Sequence, residues 1–548
     1  MVALELDPPP LKKRPRLDQQ ATTLSFDNVV SLAIYQQERL KDARQILWRE
    51  KGQPVVQLNT LRECMEHAVK GGARSATLAF TARACFSLLL ALIRIRKIPR
   101  SQWLALVRHA IFGEDSFRFA TMMGAFATLY KLLVNALPIL FPASSPVDDS
   151  RSDDGSETQT LIASPSSEET ETFQPLPAPH LSLSAHAQLI LGKQHSRRWH
   201  AALAGAVAGG LAVMCEKQGR RAMYAQQLFV RGLQGFYNNY SERWGIHVPH
   251  GASIVFALSV GQIMFAFFLR PDTLPKWYND WIQMASHSTA EGFSFNRQLV
   301  QDGIFDIGAL DKLIARPNTT TSNRAALQVL RERIISGDPT VPRYLPCEGL
   351  HQMTDGCVDI GIRRFFVVGR WMLPVYAALH FVPSIALRWK MFRADPLRVL
   401  LHAGIGSLKS SAFLGAFVSI CQAVWCIKHN LHQHIMSSPA LQRLIPKPFI
   451  DMLISRYSWW FAGLMTGLSL FFEDERRRGE LAMYTLPKAL ESLWVVARGH
   501  GLVGKTGNWG ESALAAFGSG MVMMIYQHDP EHLSSLVRRL LYQFVGPN

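Results

Sequence analysis

Charged residues are scarce in this chain of 548 residues, because Asp, Glu, Lys and Arg together make up only 18% of it. Soluble domains usually contain about 25% of these residues. Apolar residues make up 48% of the chain, and they are gathered into blocks separated by polar connectors. Gly and Pro are scattered without a period, which excludes collagen-like chains. The composition also excludes a wholly disordered chain and a series of soluble domains, and it favours a membrane protein.

Acidic residues are fewer than basic ones, 42 against 58, and the net charge is +16. Eight of the acids are concentrated in residues 147–173. The basic residues crowd the flanks of apolar blocks, as Arg94, Arg96, Lys97 and Arg100 do. That placement suits lipid headgroups better than nucleic acid. We therefore expect the lipid bilayer as a partner and no nucleic acid.

Catalytic signatures are also lacking. The sequence shows no Ser/His/Asp set, no carboxylate pair and no HExxH motif, so we expect neither an enzyme nor a cofactor. Residues 499–506 do match the phosphate-binding pattern G-x4-G-K-[ST]. However, Gly507 and Gly510 follow, and they would break the helix that such a loop requires. A nucleotide site is therefore a remote alternative, and Lys505 is otherwise interpreted as an interfacial cation.

Apolar blocks of a length close to that of a bilayer recur along the chain. A spanning helix needs about 20 apolar residues, and several blocks are shorter, so they would have to pack closely against one another. Small residues four apart, as in Gly205/Gly209 and Gly463/Gly467, allow such packing. The eight candidate spans are 76–93, 117–141, 199–215, 253–269, 365–387, 411–427, 457–472 and 512–526.

The second block of each half contains the same short pattern. Met-Gly-Ala-Phe begins at residue 123, and Leu-Gly-Ala-Phe begins at residue 414, which places Gly124 and Gly415 at matching positions. Seven residues after each glycine, on the same helix face, lies a polar side chain, Lys131 or Gln422. This correspondence suggests that the chain contains an internal repeat.

The third and fourth blocks match as well. Glu216 and Glu473 each precede an Arg pair, so each can form a local ion pair with the residue four positions on. In the fourth blocks, Gly261 and Gly520 each end an Ala-x3-Gly pattern. We therefore predict an all-α polytopic membrane protein built from two pseudo-repeats of about four transmembrane helices each, with eight, or at least five, spans in all. Apolar stripes over residues 223–236 and 483–497 add amphipathic helices lying on the membrane surface.

Connector composition divides the chain further. Residues 142–185 are rich in Ser, Thr, Pro and acids, so we expect a disordered loop, whose acidic part 147–173 could bind protein partners. The small-residue faces would also allow a homo-oligomer. The predicted divisions are a cytosol-facing region 1–70 with a basic arm, a first membrane repeat 71–270, a central linker 271–364, a second membrane repeat 365–533 and a tail 534–548.

The end of the linker and the following helix carry a distinctive set of residues: Cys347, His351, Cys357, Pro374, Tyr376, His380 and Pro383. This set resembles the transmembrane protein 135 family of peroxisomal and mitochondrial membrane proteins. Gln352 stands where that family's pattern leads us to expect Pro. The resemblance implies a multi-pass protein of the peroxisomal or mitochondrial membrane with a non-enzymatic role in organelle dynamics and lipid homeostasis.

The Cys347-x3-His351-x5-Cys357 spacing is compatible with a metal site, a disulfide or redox pair, or simple packing against the membrane. Zinc needs a fourth ligand, which Asp355 or a distant His would have to supply, and the spacing matches no standard finger. We therefore expect packing and no resident metal. A second group, which we interpret as a fringe at the level of the headgroups, comprises Cys421, Cys426, His429, His432 and His434.

Polar residues within the apolar blocks are the remaining functional candidates. Arg83 and Lys131 each need a partner or a water-filled space, because a charge in the bilayer costs about 2.5–3.5 kcal/mol on insertion scales. Gln422 is the neutral counterpart of Lys131. These residues keep open an alternative function, a carrier or channel for lipids or metabolites.

Overall fold

The computed structural model describes residues 58, 60–94, 99–141, 198–387, 389–504 and 506–546. The predicted disordered loop 142–185, with its acidic part 147–173, and the basic arm near the N-terminus lie outside the described residues. The described residues form α-helices and short 3₁₀ turns and no strand. The all-α prediction is confirmed for this part of the chain.

The described residues of the first half form six helices. A 3₁₀ turn at Val213–Cys215 extends the fourth helix, and Gly245, at φ 66°, ends the fifth in the left-handed conformation that glycine adopts without strain. The helices are α1 (Leu61–Arg94), α2 (Trp103–Phe112), α3 (Glu114–Leu140), α4 (Arg198–Ala212), α5 (Gln218–Trp244) and α6 (Gly251–Leu269).

The central linker is a folded helical unit. Side chains of Thr289, Asp306 and Thr320 accept hydrogen bonds from backbone N–H groups and cap three of its helices. Leu310 and Leu327 are fully buried in its core. The linker helices are α7 (Lys276–Ser286), α8 (Ala290–Asp302), α9 (Ile307–Ala315), α10 (Thr321–Ile335) and α11 (Cys347–Leu350).

The second half begins with a long helix that contains Pro374 and Pro383. Between its sixth and seventh helices, a 3₁₀ turn spans Thr466–Phe472. The helices are α12 (Cys357–Leu387), α13 (Trp389–Ala394), α14 (Pro396–Ser437), α15 (Pro439–Leu444), α16 (Lys447–Ile454), α17 (Arg456–Met465), α18 (Glu475–Gly499), α19 (Gly510–His528) and α20 (Ser535–Phe544).

Four helical stretches in the described part of the chain are long and apolar enough to cross a membrane: Trp103–Leu140, Gly251–Leu269, Cys357–Ile385 and Pro396–Ser437. The other predicted spans are helical too. However, 199–215 and 457–472 form α-helices of only 15 and 10 residues that continue as 3₁₀ turns. The structure thus supports a multi-pass membrane protein with fewer clear spans than the eight predicted.

Much of the surface of α12 is apolar and exposed. Val358 is 78% exposed, and Phe366 and Val382 are also among the side chains that find no cover within the protein. α14 shows the same property at Leu408 and Leu397. Large continuous apolar surfaces on a soluble monomer are rare, whereas helices that face lipid show them routinely.

Small residues bring helices of the two halves into contact. Gly205 of α4 lies against the Ser519 carbonyl of α19, and a Cβ at Gly520 would lie 3.0 Å from the Ala202 carbonyl. In the second half, Gly463 of α17 lies against Gly261 of α6. In each half, the helix of the fourth apolar block therefore packs against the helix of the third apolar block of the other half: α6 packs on α17, and α19 packs on α4. The small-residue packing that we predicted is present at both places.

Each half also has a helix pair held close by the predicted glycine. A Cβ at Gly124 would lie 2.9 Å from the Cβ of Ala76, so α3 packs closely on α1. A Cβ at Gly415 would lie 2.6 Å from the Phe365 carbonyl oxygen, so α14 packs closely on α12. The two glycines thus occupy equivalent places in two helix pairs.

Several element boundaries differ from the predicted divisions. α12 begins at Cys357, so the boundary drawn after residue 364 falls inside a helix. α1 likewise crosses the boundary drawn at residue 70. Within the linker, α10 starts at Thr321, because the Thr320 side chain caps it there. Apolar periodicity locates helices but misses ends that are set by caps and by polar turns.

The helices predicted to lie on the membrane surface, α5 and α18, are part of the packed bundle. The buried face of α5 consists largely of small residues, including Ala225, Gly232 and Gly235, and this face packs on α19. Larger apolar residues of the predicted stripe, Met223 and Phe236, remain exposed. Val230 of the same stripe is fully buried, so the predicted stripe is divided between the packed face and the exposed surface.

Candidate functional site

An apolar cavity of about 430 Å³ lies between α6, α7, α8, α12, α14 and α18. Ligand-binding pockets commonly measure roughly 300–1,000 Å³. Helices from the first half, the linker and the second half all contribute to its wall. Its aromatic and aliphatic lining includes Phe256, Met264, Phe268, Trp281, Phe413, Phe417 and Trp425.

The rim of the cavity reaches the surface. Trp277 and Leu379 both line the cavity, yet they are 59% and 63% exposed. Leu379 belongs to α12, the candidate span whose outer face is apolar and uncovered. The cavity wall and the exposed apolar face of α12 therefore share Leu379.

Only neutral polar groups line the cavity, and no Asp, Glu, Lys or Arg is among the lining residues. Burial raises the pKa of the Tyr278 and Tyr484 phenols, so both remain un-ionised donors. Gln422 and Thr485 add further neutral polar groups. This lining suits an uncharged apolar chain with few polar atoms, and it offers no counter-ion for a charged ligand.

Two of the sequence-predicted site residues, Tyr376 and Gln422, line this cavity. His380 does not line it. The Nε2 atom of His380 lies 3.0 Å from the Arg477 guanidinium and 3.3 Å from the Ser410 hydroxyl. The two prolines of the same helix, Pro374 and Pro383, are exposed on α12. The distinctive motif of this helix is therefore divided between the cavity, a polar contact and the outer surface.

Cys347, His351 and Cys357 come together near the cavity, and a fourth group joins them. Cys426 of α14 brings its sulfur close to the other three, and the four ligand-type atoms all lie within 4.8 Å of one another. Cys347, His351 and Cys426 are buried. Sequence spacing did not reveal this fourth member, because Cys426 lies far along the chain. It was assigned instead to the headgroup-level fringe.

The ionisation of His351 and Cys347 depends on burial and on the groups around them. Burial alone would lower the pKa of His351, but hydrogen bonds with Cys426, the Thr354 carbonyl and Cys357 raise it to about 9. The neighbouring Cys426 sulfur, together with burial, raises the pKa of the Cys347 thiol. Three sulfurs this close together repel one another when ionised, unless a cation lies between them.

The predicted headgroup-level fringe is wrong for its inner members. Cys421 is buried and lines the cavity. The His429 ring is buried and stacks on Tyr344 with the ring centroids 4.2 Å apart. Only His434 of the group is exposed. The linker covers this end of α14, which helical spacing within α14 could not predict.

Lys131 and Arg83 lie in the first half, away from the cavity. Lys131 is buried, and its Nζ lies 3.1 Å from Nε2 of His67. Arg83 is 4.0 Å from the Asp115 carboxylate. The expectation that each would face a polar partner is confirmed. Neither residue lines a pathway in the described structure.

The two predicted local ion pairs both form. Glu216 lies 3.7 Å from Arg220, and Glu473 lies 3.1 Å from Arg477; both carboxylates are buried. Arg220 also contacts Asp115. Burial alone would lower the pKa of Arg220, but its hydrogen bond with that carboxylate and the charges of both acids raise it.

The nucleotide-loop match at 499–506 lies in a different context from that of a phosphate-binding loop. It follows α18, a helix, whereas such a loop follows a strand. A 3₁₀ turn that begins at Gly507, where φ is 61°, then precedes α19. Lys505 lies outside the described residues. The surroundings therefore give no support to a nucleotide site.

Comparison with family models, with curated proteins and with solved structures finds no match to this chain. The resemblance to the transmembrane protein 135 family thus rests on the motif residues alone. Function has to be argued from the cavity and from the groups around it, because a helical fold is compatible with many functions.

Proposed function

We propose that this protein is a non-enzymatic, multi-pass membrane protein that binds a lipid acyl chain in the cavity between its two halves. The observation that carries this proposal is the apolar lining, which contains no charged residue and which opens beside α12. Lipids are the apolar ligands that a membrane supplies in abundance. The role that we assign to it is in lipid homeostasis.

Two features favour an acyl chain over a small polar metabolite. Aromatic rings such as those of Phe413 and Trp425 surround the cavity, and transfer of apolar surface onto them is favourable. A carboxylate or phosphate would find no cationic partner there, and burying an unpaired charge is costly. Only a headgroup that remains at the exposed rim, near Trp277, is compatible with both conditions.

The proposed location is the peroxisomal or mitochondrial membrane, and it rests on the motif resemblance. On that basis we propose a part in organelle dynamics, with the acidic segment 147–173 as the contact for protein partners. Imaging of a tagged copy against organelle markers tests the location, while deletion of the gene tests organelle number and lipid stores. A tag found only in the plasma membrane would remove this part of the proposal.

A second candidate function is a carrier or channel for lipids or metabolites. It is favoured by the position of the cavity, where α6 of the first half meets α14 of the second half. Substrate sites of many transporters lie between internal repeats. Reconstituted protein that moves lipid between leaflets would favour the carrier, whereas binding without movement would favour the homeostatic role.

We also propose that the two halves are duplicated units of four membrane helices. The supports are the equivalent glycine contacts at Gly124 and Gly415 and the reciprocal packing of the Gly205 and Gly463 helices. Alkaline carbonate extraction should leave the protein in the membrane pellet. Accessibility labelling of single cysteines in the connectors then counts the spans, and release into the soluble fraction would defeat the membrane assignment itself.

Lipid analysis of purified protein tests the binding proposal. Val418 lines the cavity, so Val418→Trp should fill part of its volume and reduce co-purifying lipid several-fold. Leu408→Trp on the exposed face of the same helix is the matched control and should leave bound lipid unchanged. Equal lipid in both variants would contradict the proposal.

A further inference from the structure

Three thiols and one imidazole converge where the linker meets the second half. Cys347 and His351 come from the end of the linker, Cys357 is the first residue of α12, and Cys426 lies deep in α14. Their ligand-type atoms all lie within 4.8 Å of one another. No other such group of three or more His, Cys, Asp or Glu residues is found in the described part of the chain.

The donor set and its spacing match the requirements of zinc. Structural zinc sites are tetrahedral, and Cys₃His is one of their common ligand sets. Bonds of about 2.3 Å to sulfur and about 2.0 Å to nitrogen place the ligand atoms of such a site about 3.5–3.8 Å apart. Nε2 of His351 lies 3.5 Å from Sγ of Cys357. The four groups thus need only small movements to enclose the ion.

The histidine is already oriented as a metal ligand. Nδ1 of His351 lies 2.7 Å from the Thr354 carbonyl oxygen. A carbonyl can only accept, so Nδ1 must carry the hydrogen, and the lone pair of neutral His351 is then on Nε2, the atom that faces the sulfurs. A second hydrogen bond of this kind is typical of metal-binding histidines, because it fixes both the tautomer and the ring orientation.

Side-chain amides surround the sulfurs. Nδ2 of Asn430 donates to Cys357 at 3.4 Å, and Nε2 of Gln422 donates to Cys426 at 3.6 Å. Such N–H donors stabilise thiolates, which are the form of cysteine that binds metal. The Cys347 thiol donates to Oδ1 of Asn430 at 3.5 Å, and its proton would leave when the metal binds.

We propose that Cys347, His351, Cys357 and Cys426 bind one Zn²⁺ ion in a closed structural site. All four positions of the tetrahedron are filled by the protein, so the ion has no open position for a substrate. Its effect is mechanical, because it joins the linker and the start of α12 to the middle of α14. It also holds α14 next to Gln422 and Trp425, two of the residues by which this helix lines the cavity.

Metal analysis of the full-length protein, purified in detergent without chelator, tests this proposal. Wild type should contain about one zinc per chain. Cys426→Ser should lower the zinc content by about tenfold or more. Cys421→Ser is the matched control, since Cys421 lies five residues earlier on the same helix and outside the cluster; it should retain the zinc of wild type.

Cobalt exchange checks the ligand set even if Cys426→Ser folds poorly. Wild-type protein exchanged with Co²⁺ should show the intense visible absorption of a tetrahedral ion bound by thiolates. Wild-type protein that contains no zinc and takes up none would overturn the proposal. Iron in place of zinc, or thiol titration that finds a disulfide among the three cysteines, would overturn it as well.

Discussion

The two halves place different chemistry at matching positions. Seven residues after the matching glycines, the first half carries Lys131, whose ammonium lies against His67, and the second half carries Gln422, which lines the cavity and donates to Cys426. The helix pairs around both residues pack closely in the same manner. The first helix pair thus holds a buried cation, and the second holds a thiol cluster beside an apolar cavity. The contrast locates the specialised chemistry in the second half.

Removal of zinc should produce the largest difference between the two halves, because the proposed ion lies only in the second. A high-affinity chelator should increase proteolysis of the exposed linker turn near Gly337 by about tenfold or more, because the metal no longer fastens the linker. Cleavage in the first half should be unchanged, since no metal-type group lies there among the described residues. An equal increase in proteolysis of both halves would show that the ion does not stabilise the second half specifically.

Removal of the two buried glutamates should have unequal effects. Arg477 would lose its carboxylate in Glu473→Ala and retain only neutral contacts, including His380, whereas Arg220 retains Asp115 in Glu216→Ala. We expect Glu473→Ala to lower the free energy of unfolding by about 2–3 kcal/mol and Glu216→Ala by about 1 kcal/mol. Thermal unfolding in detergent measures both. A larger loss of stability in Glu216→Ala than in Glu473→Ala would mean that Asp115 does not compensate for the missing carboxylate beside Arg220.

The reciprocal glycine contacts should respond alike. A Cβ at Gly467 would lie 2.4 Å from that of Ala257, and one at Gly209 would lie 2.4 Å from that of Ser519. Alanine at either position should therefore destabilise the protein by about 1–3 kcal/mol through overpacking. Gly499→Ala is the control, because no atom lies near its Cβ position. A response at only one site would break the equivalence of the halves.

The smallest effect is expected at the nucleotide-loop match. Lys505→Ala should leave lipid content, stability and any nucleotide binding unchanged, because a helix precedes this segment where a phosphate-binding loop requires a strand. Equilibrium binding of labelled ATP checks this. Measurable ATP binding that disappears in the variant would restore the nucleotide alternative.

Local features of the fold could be predicted from the sequence. Apolar length located the helices, small-residue spacing located the contacts of Gly261 and Gly520, and the i,i+4 spacing of Glu473 and Arg477 predicted an ion pair that forms. Each of these depends on residues close together in the chain. They required no knowledge of how the halves pack.

The Cys/His cluster, the cavity and the burial of His429 depend on tertiary packing, which the sequence does not show. The spacing of Cys347, His351 and Cys357 gave three donors without a fourth, because Cys426 is brought to them by the docking of the linker on α14. The cavity has the same origin, since its wall comes from six helices that are separated in the chain. His429 was misplaced at the surface for the same reason. Sequence periodicity shows which face of a helix is apolar, but not what covers it.

Site mapping with a photoactivatable fatty acid tests lipid binding in the cavity most directly. After crosslinking in native membranes, labelled peptides should carry the probe on cavity-lining residues of α14, Phe413 to Trp425, and on α6 near Phe267. Val418→Trp should reduce those labels several-fold and leave any on the outer face of α12. Labels confined to outward residues such as Val358 and Phe366, and unchanged in the variant, would show that lipid only surrounds the protein and would contradict binding in the cavity.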